Sequence, residues 1–231
     1  MTISKAGFPA LCAAFAAAFI LCVYCAPFGA AQTFSFSAAA AAVPVIDAGH
    51  GGADGGASSA DGMTESKINL DIALRLENIL AFCGRCPVMT RREESIVYPA
   101  EAKTIRAKKL YDQKARLALI NETPNAVLIS IHQNKYSSPQ PFGAQTFYNS
   151  REGARELAAA AQRNIKLFDA ENGREEAAAS EDIYIMREAA GPAVLMECAF
   201  LSNGRDCALL KTEGYRTAAA LSAAAAFMEC Y

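Results

Sequence analysis

The chain has 231 residues, 52% of them hydrophobic, and a formal net charge of −2. That is enough apolar material for the core of one domain, or of one domain plus a short appendage, and the charge leaves no global basic field to recruit nucleic acid. There is no Trp, so a sugar groove built on stacked indoles is disfavoured.

Lys5 is the only charged residue before Asp47. A basic start, an apolar run from Phe8 to Phe28 and small residues at Gly29 and Ala31 resemble a secretory signal cleaved after Ala31. The same run is long enough to cross a bilayer if it is retained. Residues 1–31 are therefore expected to be a signal peptide or a membrane anchor, with the rest of the protein exported. Residues 32–42, uncharged and without period, read as a linker to a single domain over residues 43–231.

That domain opens with "VPVID", a short β-branched strand over Val43–Asp47, followed by a glycine-rich loop. Ile68, Ile72, Leu76, Ile79 and Leu80 fall at helical spacing, with Thr64 suited to the N-cap and Gly84 to the position past the C-cap. "CPVMTR" reads as a short strand and "REESIVYPAEA" as a loop. Lys103 to Glu122 reads as a long basic helix stopped by Pro124, its run Lys103–Arg116 a solvated face more than an attractor of acidic polymer. "NAVLISIH" and "GAQTFYN" read as strands, residues 152–168 as a helix, "DIYIM" as a short strand, "PAVLMECAF" as a buried strand, and residues 214–231 as an Ala-rich closing helix. Apolar strands alternating with amphipathic helices predict an α/β fold: a mixed, mostly parallel sheet covered by helices on both faces.

In such sheets the functional groups gather where strands end, at the carboxyl edge. The only two histidines obey this: His50 follows the first strand and His132 ends "LISIH". Glu197 lies in the apolar "VLMECAF", where an ionised carboxylate is costly unless paired or coordinated. Glu65 begins the first helix. Two imidazoles and one carboxylate, with a fourth position open, form a catalytic zinc donor set. Spacing alone leaves open which glutamate binds metal and which moves protons. It also leaves open that Glu65 serves only the helix dipole.

Three of the eight cysteines, Cys12, Cys22 and Cys25, fall in the leader; Cys83, Cys86, Cys198, Cys207 and Cys230 remain. "CGRC" at 83–86 suits a redox pair or a local disulfide, or two small buried side chains with no chemistry.

In order and spacing, "VIDAGHGGADGGA", the Glu of "TESKINL", "LISIHQN" and "VLMECAFLSN" resemble the zinc-dependent N-acetylmuramoyl-L-alanine amidases of the amidase-3 family. "GAQTFY" and the compact length look most like the germination-type, spore-cortex members. The resemblance spans residues 43–231 and implies a catalytic domain that cleaves peptidoglycan with one zinc ion. It makes His50, Glu65 and His132 the ligands and Glu197 the catalytic carboxylate. Gln133 stands where the family more often has a small residue, and Asn134 keeps a position suited to orienting a ligand or substrate carbonyl. Gly51, Gly52, Gly55 and Gly56 would let the loop fold tightly and a glycan approach; an ordinary turn accounts equally for Gly55 and Gly56. The stretch between His132 and Glu197 is too short for a large inhibitory insert, so targeting is left to the leader or a partner. Two other readings compete: a thiol hydrolase using Cys198 and His132, and an exported peptidoglycan-binding module without activity.

Overall fold

The computed structural model describes residues 41–231. The expected leader, and the expected linker except its last two residues, lie outside the described residues. Among the described residues, no helix is long and apolar enough to cross a membrane.

Six strands form one sheet in the order β2-β1-β3-β6-β4-β5. They are β1 (Val43–Ala48), β2 (Val88–Met89), β3 (Ala126–Asn134), β4 (Gln145–Tyr148), β5 (Ala177–Ala178) and β6 (Ala193–Phe200). β2, β1, β3 and β6 run parallel; β4 is antiparallel to β6. The helices are α1 (Glu65–Phe82), α2 (Ile105–Glu122), α3 (Ala154–Phe168), α4 (Tyr184–Glu188), α5 (Gly204–Leu210) and α6 (Glu213–Cys230).

The two sheet faces carry separate cores. Ile129, Ile131, Val194, Met196 and Cys198 point toward α1, α3 and α6, where Leu76, Leu157 and Phe227 meet them. Side chains of the opposite parity, Val45, Leu128 and Leu195, meet Ile120 of α2 and Met186 of α4. Each large side chain so buried contributes about 1.5–3 kcal/mol. Small residues let α3 and α6 pack closely: Ala158 and Ala161 are buried on one, Ala219, Ala220 and Ala223 on the other.

The helix ends follow from local chemistry. Thr104 and Thr212 cap α2 and α6, accepting from the backbone N–H of Ala107 and Tyr215. Thr64 occupies the N-cap of α1 without making that side-chain bond. Gly84 ends α1 at φ +78°, and the following Arg85 N–H returns to the Leu80 carbonyl.

"DIYIM" corrects an expectation. It forms no strand: Ile183 is the N-cap of the short helix α4. Four apolar residues do not distinguish a strand from a helical turn, and the Ile183 N–H bond to Ser180 O turns the chain before a strand could start. α5 was also not anticipated, although Asn203 caps it by accepting from the Asp206 N–H.

Candidate active site

β1 and β3 are parallel neighbours, with Ala48 beside Ile131. Their carboxyl ends therefore deliver His50 and His132 to the same rim. His50 follows β1 with φ +60°, in the left-handed region that residues other than glycine seldom occupy. Glu65 enters from the side, as the first residue of α1, and is 3% exposed. Its Oε1 lies 3.2 Å from His50 Nε2 and 3.0 Å from His132 Nδ1. The three side chains each offer a ligand atom within 4.8 Å of the others, a spacing that could hold a metal ion. The imidazole rings meet edge-on at 5.0 Å between centroids.

A supporting layer fixes each donor. Asp54 Oδ2 lies 3.0 Å from His50 Nδ1, orienting the ring so that Nε2 faces Glu65. Such carboxylate–histidine pairs are usual behind metal-ligating imidazoles. Glu65 accepts from the backbone N–H of Ala57 at 2.8 Å and of Gln133 at 3.1 Å. Asn69, one turn along α1 and fully buried, donates to Gly49 O and accepts from Gln133 Nε2. Gln133 thus has a packing role beneath the site. Burial alone would lower the basicity of His50, but its bonds to Asp54 and Glu65 prevail and raise its pKa to about 9. Burial would raise the Glu65 pKa; the two imidazoles hold it well below the usual carboxylate range instead.

Glu197 sits beside His132 in the β3–β6 register and beside Gln145 in the β4–β6 register. It therefore shares the His132 face of the sheet. Its Oε2 is buried without a hydrogen-bond partner among the described residues. Burial pushes its pKa up to about 7, with the Glu65 charge adding to the rise and both imidazoles opposing it. An unpartnered carboxyl poised near neutrality is the usual state of a proton carrier.

Two arginines that sequence reasoning passed over hold the backbone of the His50 turn. Arg116 lies on α2 and was read as part of a solvated run; it is buried. It donates to Asp47 Oδ1 at 2.8 Å and to the carbonyls of Ala48 and His50, both at 2.6 Å. Arg91 donates to Ala48 O at 2.8 Å and Gly49 O at 3.1 Å. Asp47, buried beneath them, also accepts from Ser130 and Thr90. Burial would raise its pKa, but Arg116 holds it near 2. The signal that could have found Arg116 is its place on the helix, one turn before buried Ile120.

The glycines also need correction. A Cβ on Gly51 would fall 2.9 Å from Arg91 Nε, and one on Gly52 2.4 Å from the Tyr98 hydroxyl. That space is filled by the protein's own side chains, not left for a glycan. Gly56 does not belong to an ordinary turn: at φ +67°, a Cβ there would lie 2.5 Å from Glu65 Oε2 and 2.8 Å from His50 Cδ2. Of these four, Gly55 alone has open space, with no atom within 4 Å of its virtual Cβ.

The thiol reading fails on direction. Cys198 follows Glu197 along the strand and so points to the opposite face, into the core of α1, α3 and α6. Burial pushes its pKa up to about 12, so it has no thiolate to offer at neutral pH. All five described cysteines are free, Cys83 and Cys86 included. Asn134 ends β3, its carbonyl accepting from the Leu201 N–H.

An open α/β sheet with a two-histidine, one-glutamate cluster at its rim, and a protonatable buried carboxyl beside it, defines a hydrolase with a metal-type donor site. Residues 45–228 match the N-acetylmuramoyl-L-alanine amidase family, amidase-3. The chain is 32% identical over 177 residues to the germination-specific N-acetylmuramoyl-L-alanine amidase of Bacillus subtilis, covering 77% of this chain and 74% of that protein. Its fold is similar to the CwlD amidase of Clostridioides difficile, solved in complex with the GerS lipoprotein, with TM-score 0.78 and 33% identity over 82% of this chain and 98% of that one. An N-acetylmuramoyl-L-alanine amidase from Clostridium difficile 630 gives TM-score 0.71 and 27% identity over 82% and 96% of the two chains. The chain belongs to the amidase-3 family and is a peptidoglycan amidase.

Gly56→Ala should then behave as a site mutation rather than a loop mutation. The new methyl must displace Glu65 or His50, and displacements near 1 Å cost activity on the order of 10²-fold. Gly55→Ala, facing open space, is the control. Equal amidase rates in the two variants would contradict the assigned crowding.

Proposed function

We propose that this protein hydrolyses the amide between the lactyl group of N-acetylmuramic acid and L-alanine, using one Zn²⁺ held by His50, Glu65 and His132. The observation that carries the reading is the convergence of those three donors on one point, backed by Asp54 on the far nitrogen of His50. Two nitrogens and one carboxylate oxygen match zinc in number and softness and leave a position for substrate. When bound, zinc supplies a Lewis acid that polarises the carbonyl and acidifies water.

The chain's own residues do the rest. Asp54 sets the orientation of the His50 imidazole. Glu197, on the same sheet face, accepts a proton from the attacking water at Oε2 and delivers it to the departing L-alanine nitrogen. Its orphaned oxygen and its pKa near 7 support that role. The base form is the ionised one, so kcat/KM should rise with pH through the carboxyl's pKa, which burial raises and a bound cation would lower, and flatten above it. An acidic limb unchanged in Glu197→Gln would remove Glu197 as the base.

The similarity to germination-specific and CwlD amidases supports action on spore cortex during germination. A wall substrate also supports export, with residues 1–31 serving as signal or anchor and residues 43–231 as the catalytic domain. By analogy with the GerS complex of its structural neighbour, a lipoprotein is a reasonable class of partner. The complete set of site residues argues against an inactive binding module.

The deciding experiment is digestion of purified wall sacculi by the full chain, with metal content measured in parallel. New glycan lactyl carboxyls and L-alanine amino groups should appear in equal amounts, stop on chelation, and return with zinc. Activity that resists chelation and is killed by iodoacetamide would overturn the zinc mechanism.

A further inference from the structure

Elsewhere on the described surface many basic side chains are matched by acids, and those that are not, Lys67 on α1 and Arg155 on α3 among them, are spread over different helices. Arg92 meets Glu77, Arg163 meets Glu229, Arg205 meets Asp169 and Arg216 meets Asp71. The run from Lys103 into α2 is different. Lys103, Arg106 and Lys114 are exposed and have neither an acid nor a hydrogen-bond partner among the described residues. Lys108 makes only a ring contact, 5.3 Å from the centre of Tyr98. The acid within the run, Asp112, is turned inward onto Arg116 at 2.8 Å. Glu101 and Glu122 flank the strip without pairing to it. Ile105 and Leu110 stand among these cations at 66% and 49% exposure.

Helix stability does not account for this arrangement. α2 has no acid in its first turn, where the helix dipole favours one. Cations near that end have the unfavourable sign and no internal partner to offset it. The strip is also continuous with the catalytic cleft. Lys109 and Gln113 of the same helix line the cavity that holds His50, His132 and Asp54, and Lys109 reaches Asp54 at 3.1 Å. From Arg106 to Lys114 the positive run extends about 12 Å along the helix axis at 1.5 Å per residue, and Lys103, just before the N-cap Thr104, continues it away from the site.

Resting on the amidase reading, the partner follows from the substrate's chemistry. A stem peptide attached through its L-alanine nitrogen leaves its carboxyl terminus free. An uncut glycan strand therefore carries a carboxylate on each uncrosslinked stem on either side of the scissile bond. We propose that Lys103, Arg106 and Lys114 form a docking strip for the carboxylates of the stem peptides flanking the one being cut. Exposed Ile105 and Leu110 offer apolar contact to those same stems. Electrostatic docking of this kind raises the local concentration of strand at the cleft and leaves the bond-breaking step unchanged.

The test uses the full chain and its K103Q/R106Q/K114Q variant, all three sites being exposed. Each is assayed on intact sacculi, on sacculi whose carboxylates have been amidated with carbodiimide and methylamine, and on a single disaccharide–peptide with no flanking stem. Sedimentation with sacculi measures binding independently of turnover. On intact sacculi the variant should show about a tenfold higher KM and weaker co-sedimentation, with kcat unchanged, and it should match the unmodified protein on the single fragment. Amidated sacculi should cost the unmodified protein the same factor and the variant nothing further. Equal binding of both proteins to intact sacculi would overturn the strip, as would an equal loss on the single fragment. Indifference to amidation, with variant-sensitive binding to anionic lipid vesicles or to phosphate-bearing wall polymer, would replace the proposed partner with that one. Absence of cleavage on any substrate would instead refute the amidase reading, while co-sedimentation would still report on the strip.

Discussion

Glu197→Gln is expected to retain zinc and its fold while cleaving wall about 10²–10⁴-fold more slowly, the usual loss for a general base. The amide matches the carboxylate in size and keeps the β3–β6 register beside His132, but it cannot take a proton from water. Stability supplies a second readout. Because the folded carboxyl has its pKa raised to about 7 by burial, its ionisation is disfavoured in the native state. That penalty is absent below the unfolded value and grows as pH rises above it. The glutamine variant escapes it, so at neutral pH its metal-free Tm should equal or exceed that of the unmodified protein. A drop in kcat with a maintained Tm and full zinc content identifies a chemical role. Loss of zinc would instead make Glu197 a ligand and return Glu65 to candidacy as the base.

The difference between what was legible in the sequence and what was not follows from range. β1, β3 and β6 are short apolar runs with His50 just past the end of the first and His132 and Glu197 toward the carboxyl ends of the others, so both their type and the rim they share could be read locally. The helix α1 carried its own period and its Gly84 stop, although Thr64 makes no capping bond. What could not be read locally was pairing over long distances. Arg116 looked like one cation among several on a basic helix, because its partners are Asp47 and the carbonyls of Ala48 and His50, nearly seventy residues upstream. Gly56 looked like loop punctuation, because the atoms that forbid a side chain there belong to Glu65 and His50. "DIYIM" has the composition of a strand, yet it pairs with no strand of the sheet and leads into α4 along one side of the cleft. The choice between Glu65 and Glu197 was open for the same reason. Spacing placed both near the histidines, whereas the fold puts Glu65 between the two rings and leaves Glu197 Oε2 without a partner.

His132→Ala is expected to abolish zinc binding and, with it, hydrolysis, while the domain stays folded. The ring contributes a single donor atom to the cluster and is not part of either hydrophobic core. Without it Glu65 still accepts from the Ala57 and Gln133 backbone N–H groups and still faces His50, so the rim has its own scaffold. Two protein donors fall short of the three that a catalytic zinc site uses. The readout is thermodynamic as well as catalytic: an ion that binds only the native state raises Tm in proportion to the logarithm of its concentration over Kd. Added zinc should therefore raise the Tm of the unmodified protein and leave that of His132→Ala where it was. His50 supplies a directional check. Its bonds to Asp54 and Glu65 raise its pKa to about 9 in the metal-free protein, so zinc must displace a proton there and its apparent affinity should strengthen as pH rises toward that value. A His132→Ala protein with full zinc occupancy, and the same zinc-dependent rise in Tm as the unmodified chain, would take His132 out of the ligand set.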